Sequence, residues 1–99
     1  MIRIRHTGLV TYNLSESLHF WNKKLKFKIK KRETESGVLI DNIMGYKSAK
    51  VETLKLSDNK GNLLELLYFK NSPLKKTKII KPYSNGFTHI SITVTDIMK

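Results

Sequence analysis

The sequence predicts a small α+β domain with the element order β-α-β-β-β, then a linker and one more strand. Three observations carry this. A β-branched segment, residues 2–11, opens the chain. A capped amphipathic stretch follows it. Two apolar segments, Val51–Leu56 and Leu63–Phe69, then flank a cluster of turn residues.

Residues 2–11 read as the first strand because Ile2, Ile4, Val10 and Thr11 favour extended backbone. Asn13 is placed to cap a helix, with Glu16 three residues on in a capping-box-like pair. Leu14, Leu18, Trp21 and Leu25 follow at helical spacing on one narrow face, so a helix over 14–25 is expected. Its Asn22, Lys23 and Lys24 should face water. Phe27 to Lys30 alternates as a second strand. Ser36 to Met44 suits a short helix closed by Gly45. Asp58, Asn59, Lys60, Gly61 and Asn62 form the turn between strands three and four, with Gly61 free to take a positive φ. Residues 70–85 are rich in Lys, Pro, Ser and Asn without periodicity and read as a linker. Phe87 to Val94 reads as a fifth strand.

The chain has 99 residues, no cysteine, and 19 Lys plus Arg against 8 Asp plus Glu, a net charge of +11. Without cysteine, disulfides, zinc ribbons and thiol catalysis are excluded. No apolar run is long enough to cross a bilayer, and the first residues lack the apolar core of an export signal, so a cytoplasmic protein is expected. Among the cations only Arg3, Arg5 and Arg32 are arginines. Arginine is favoured where phosphate or base edges are gripped in two-pronged fashion. The charge therefore reads first as a solvated lysine surface. A nucleic-acid module using the Lys23–Arg32 and Lys70–Lys81 clusters is the weakest alternative, for want of aromatic interleaving.

The last strand repeats the first. Arg5 to Leu14 aligns without gaps to Thr88 to Ile97, matching His6 to His89 and Asn13 to Asp96. An offset this long is no solenoid period. It reads as the start of a second copy of one module. Residues 1–69 are then the first βαβββ module, 70–85 the linker, and 86–99 the first strand of an incomplete second module.

His6, Glu65 and His89 each interrupt an apolar or β-branched strand. If the helix covers the Leu9/Leu64/Ile90 face, alternation sends all three to the uncovered face. A carboxylate between Leu64 and Leu66 is costly to bury unless it is paired or bound to a cation. Two imidazoles and a carboxylate are ligand types suited to zinc, iron, manganese or nickel. Structural roles stay open to each: a strand histidine as a hydrogen-bonder, Glu65 as the ion-pair partner of a lysine on the next strand. His19 falls off the packed stripe and reads as a surface residue.

The ordered set His6-Thr7-Gly8-Leu9-Val10, Asn13-Leu14, Ser17-Leu18, Phe20-Trp21, Leu25-Lys26-Phe27, Leu56-Ser57-Asp58, Gly61 to Leu66 and Gly86 to Ile90 resembles the vicinal oxygen chelate superfamily. That group holds glyoxalase I, methylmalonyl-CoA epimerase, extradiol dioxygenases and the fosfomycin- and bleomycin-resistance proteins. The resemblance implies paired βαβββ modules curled into a cup around a divalent metal (Zn, Ni, Mn, Fe or Co). It implies His6, Glu65 and His89 as metal ligands. A Glu on the last strand of the first module favours the glyoxalase I-like and epimerase-like branches.

The expected activity is thus a metal-dependent lyase or isomerase acting on a small oxygen-rich metabolite whose vicinal oxygens the metal chelates. The family's fourth ligand, a Glu on the last strand of the second module that also serves as base, has no counterpart in this sequence. Three arrangements accommodate this. The chain is a fragment of a gene of about 130 residues, or a homodimer completes the cup, or the chain binds without turnover. The alternative reading is a non-catalytic drug- or metabolite-binding protein of the same fold, with a dimer cleft lined by residues such as Trp21 or Tyr68.

Overall fold

The computed structural model describes residues 2–73, residue 83 and residues 90–96. Among them the order is β1 (Thr7–Val10), α1 (Leu14–Leu18, continued by wider turns over His19–Lys24), β2 (Lys28–Glu35), α2 (Val38–Met44), β3 (Val51–Ser57) and β4 (Leu63–Phe69). The four strands form one sheet in the order β1-β4-β3-β2. β1 runs parallel to β4, and the other two pairs are antiparallel. This is the expected α+β module.

β1 is shorter than its sequence suggests, and the parallel register says why. Thr7 pairs with Leu64 and Val10 with Leu67. Residues 2–5 would run past the start of β4 and meet the Asp58–Asn62 turn, which offers no ladder. Ile2 and Ile4 are almost fully exposed. β2 is longer than predicted for the converse reason. Its charged half, Lys31–Glu35, pairs residue for residue with Lys55 back to Val51 of β3. As an edge strand it keeps polar side chains in water while its backbone is satisfied. A register shift between Ile29 and Lys31 takes up one extra residue.

Asn13 caps α1 as predicted: its side chain accepts from the Glu16 amide at 3.0 Å. After Leu18 the helix widens, and the Leu25 amide donates to the Phe20 carbonyl five residues back. This corrects one expectation. Asn22 is half-buried, not solvent-facing, and its Nδ2 donates to the Phe27 carbonyl at 2.6 Å. The wider turn rotates it toward the strand that follows. Lys23 and Lys24 are exposed as expected.

Leu54, Leu56, Leu64 and Leu66 form the buried core, and Leu9, Leu14, Leu18, Trp21 and Phe27 pack against it. The helical stripe therefore covers the Leu9/Leu64 face of the sheet. Burying each such leucine contributes roughly 1.5–3 kcal/mol. Trp21 lies edge-on between Phe20 and Phe27, with ring centroids 5.4 Å from each.

The turn cluster forms as predicted. Gly61 has φ +84°, and Gly45 closes α2 at φ +83°. Asp41 of α2 ties down the following loop, accepting from the Ser48 and Ala49 amides at 2.9 and 2.8 Å. The predicted fifth strand is not observed where it can be followed. Ile90 to Val94 carry no strand, and Ile90, Ile92 and Val94 are 42%, 42% and 46% exposed. A strand needs a hydrogen-bonded neighbour, and none of the described strands pairs with this segment. It lines an open groove with Trp21, Leu25, Phe27 and Leu64 instead. Residues 87–89, and most of the linker at 70–85, lie outside the described residues.

Candidate functional site

Strand alternation sorts the side chains once the core is known. Leu64 and Leu66 point into the core, so Glu65 points to the opposite face, the one α1 leaves open, where Val51, Thr53 and Ser57 of β3 are buried and Lys55 is exposed. Gly8 is the Cα partner of Glu65 on one side, and Lys55 is its partner on the other. Lys55 in turn faces Lys31. One transverse row, Gly8–Glu65–Lys55–Lys31, thus crosses all four strands on the open face.

Each member of the row has a distinct environment. Gly8 brings no side chain, and a Cβ placed there would touch only Leu67 Cδ1, at 3.5 Å. Glu65 is half-buried and Lys55 is exposed. Among the described residues neither is within ion-pair distance of an opposite charge. Lys31 is engaged by Glu33 two residues along its own strand, Nζ to Oε1 2.6 Å. That contact raises the Lys31 pKa and lowers that of Glu33, in both cases chiefly through the hydrogen bond between them.

His6 directly precedes the first paired residue of β1, two positions before Gly8, and is exposed. It thus adjoins the end of the strand that carries Gly8 to Glu65. His89 lies outside the described residues. Among the described residues no three His, Cys, Asp or Glu side chains converge. The structure therefore brings β1 and Glu65 together and leaves the third predicted ligand outside what it describes.

Trp21 and Tyr68, the residues offered for a binding cleft, belong to the other face. Trp21 packs on the core. Tyr68 shares its face with Leu66 and Leu64 and is the partner of Glu52. His19 is exposed, as predicted. On that outer side an open groove between α1 and β2 is lined by Leu14, Leu18, Ile29, Lys23 and Arg32. Arg32 there is ion-paired with Glu52.

Neither Lys55 nor Gly8 is a candidate ligand by residue type. A signal for Lys55 was present. The five-residue turn between Ser57 and Leu63 closes the hairpin, and counting back two pairs sets Lys55 opposite Glu65. No such count finds Gly8, because the β1–β4 pairing joins strands more than fifty residues apart.

Among the described residues no helix is long and apolar enough to cross a membrane. The family model of the Glyoxalase/Bleomycin resistance protein/Dioxygenase superfamily matches residues 3–99. The crystal structure of a glyoxalase family protein from Bacillus cereus superimposes with a TM-score of 0.70 at 17% identity. The alignment covers 88% of this chain and 59% of that one, so the chain spans under two thirds of its structural neighbour. At that identity the likeness shows the fold. No curated protein matches the chain. The match over residues 3–99, on a four-stranded module of the same fold, makes this chain a member of the glyoxalase/bleomycin resistance protein/dioxygenase superfamily.

Proposed function

We propose that the chain serves a divalent-metal-dependent lyase or isomerase of the glyoxalase I or epimerase type, acting on a small oxygen-rich metabolite. The observation that carries this reading is the position of Glu65. It stands at the centre of the open face, half-buried, with no counter-charge in ion-pair distance among the described residues. A carboxylate in such a place gains from a bound cation. The donor set fits one in kind, since imidazole and carboxylate suit borderline divalent ions.

His6, Glu65 and His89 are the residues that would hold the metal. When bound, a divalent ion polarises substrate oxygens and stabilises negative charge that develops on them. The chain's own residues then define the floor of the site. Gly8 leaves space beside Glu65, and Leu67 supplies an apolar wall next to it. Glu33, the carboxylate on the same face of β2, is held by Lys31. A proton acceptor is therefore sought on the remainder of the cup, which a second copy of this chain or a second module would supply.

The test is metal content. The protein is dialysed against Zn, Ni, Mn, Fe and Co salts in turn, then against buffer, and analysed for elements. Wild-type protein should retain about one ion per site, and His6→Ala and Glu65→Ala should lose it. Wild-type protein that retains none overturns the reading. Small-molecule binding that survives both substitutions points instead to a binding protein of the same fold.

A further inference from the structure

We propose that Lys55 is a specificity-determining residue that grips an anionic group of the ligand, so that the open face takes a small carboxylate- or phosphate-bearing molecule. The proposal rests on the reading of Glu65 as a metal ligand, and it names the substrate class of that same site.

The transverse row carries it. Lys55 is the direct cross-strand partner of Glu65 on β4 and of Lys31 on β2. Directly opposed residues of antiparallel strands have Cα atoms only about 4.5–5.5 Å apart. A lysine stem is longer than that spacing, so the ammonium can reach the space above Glu65. On the sheet alone Lys55 stands between an opposite charge, Glu65, and a like charge, Lys31, so its cross-strand role depends on Glu65 staying free. Lys31 is already engaged by Glu33, whereas Lys55 is exposed and outside ion-pair distance of any carboxylate among the described residues, its longer-range attraction to Glu33 being the least of the causes that lower that carboxyl.

Two outcomes are then distinguishable on charge grounds. With Glu65 free, Lys55 is a cross-strand counter-charge in waiting. With Glu65 committed to a cation, Lys55 is left as an unpaired ammonium beside it, and the pair presents two positive centres to one ligand. An oxygen-rich anion satisfies both, one group on each. A neutral ligand leaves the ammonium unmatched. Lysine suits this task as a point charge on a flexible stem, which accepts a carboxylate or a phosphate without demanding planar geometry.

The experiment compares Lys55→Met with wild type and with Lys23→Met. The second substitution removes the same charge from the exposed face of α1 and controls for the overall field of the +11 chain. Calorimetry of metal-loaded protein uses three probes: oxalate, inorganic phosphate, and hydroxyacetone, which presents vicinal oxygens and carries no charge near neutral pH. Lys55→Met should keep its metal, weaken oxalate or phosphate by about tenfold or more, and leave hydroxyacetone within about twofold. Lys23→Met should change none of them, and Lys55→Arg should restore part of the loss. Whichever of oxalate and phosphate loses more identifies the anion.

Oxalate and phosphate binding that is unchanged in Lys55→Met overturns the proposal. So does a loss shared equally with hydroxyacetone or with Lys23→Met. Should wild-type protein retain no metal, the reading of Glu65 fails by itself. Lys55 is then decided on the metal-free protein by 1H–15N spectra. Phosphate or oxalate must shift the amides of Lys55 and its row in wild type and not in Lys55→Met, and spectra without that pattern overturn the assignment.

Discussion

Gly8 and Glu65 stand opposite each other across the parallel β1–β4 pair, on the face of the sheet that the helix leaves open. The pairing puts the one residue without a side chain next to the carboxylate between two core leucines. Space, not hydrogen bonding, is what Gly8 gives the site. Its φ lies outside the left-handed region, and a methyl group there meets Leu67 at an ordinary distance. Gly8→Ala should therefore fold with stability within about 1 kcal/mol of wild type and keep its metal. Gly8→Phe should also fold, because the side chain projects to the open face, yet lose metal by crowding Glu65. Urea unfolding together with metal analysis reads both. Metal retained in Gly8→Phe would falsify the role given to this gap.

The hairpin turn should be sensitive to acid. Asp58 accepts from Asn62 Nδ2 at 2.8 Å and from the Asn62 and Lys60 amides at 2.9 Å. These bonds, led by that from the Asn62 side chain, hold the Asp58 carboxyl below its usual value. A carboxylate lowered on folding stabilises the native state above its unfolded pKa, and that contribution disappears as pH falls through the lower folded value. The urea midpoint of Asp58→Asn should fall short of wild type at about pH 7, and the gap should narrow below about pH 4. A gap of equal size at both pH values would mean that the charge contributes nothing.

The core is thin, so single truncations should be severe. Leu54 and Leu56 are fully buried, with Leu66 and Leu64 as their cross-strand partners. Leu54→Ala should cost about 2–5 kcal/mol, a large share of the roughly 5–15 kcal/mol typical of a domain. Denaturant titration followed by far-UV circular dichroism measures it. A loss under about 1 kcal/mol would show that the leucine cluster is not the centre of the fold.

Asp41 anchors the α2–β3 connection through two backbone amides, one of them at fully buried Ala49. Removing the acceptor leaves those donors unmatched. Asp41→Ala should destabilise by about 1–3 kcal/mol, and Asp41→Asn, which keeps one acceptor oxygen, by less. The ordering of the two variants by thermal melting is the check.

Local features were legible because their causes are local. Asn13 and Glu16 mark the helix start, Gly45 and Gly61 take the positive φ their positions ask for, and β4 runs over the predicted Leu63–Phe69. Glu65 stood out because a carboxylate between leucines contradicts its surroundings. The wide turn after Leu18 was not legible, since Phe20 to Lys24 suits an ordinary helix by spacing. It showed only in what Asn22 does, which is to reach the Phe27 carbonyl. Ile90 to Val94 has the alternation of a strand, and alternation alone cannot supply a neighbour to pair with.

The sequence by itself determined the order of elements through β4, the hairpin, the apolar stripe of the helix, and the resemblance that family membership upholds. Each follows from residues close together in the chain. Only the tertiary structure decided that β1 pairs parallel with β4, where β1 begins, and that Gly8, Glu65, Lys55 and Lys31 share one row. Parallel pairing closes a long loop and leaves no local mark. Its register follows from which partner offers a free ladder and which face the helix has already taken.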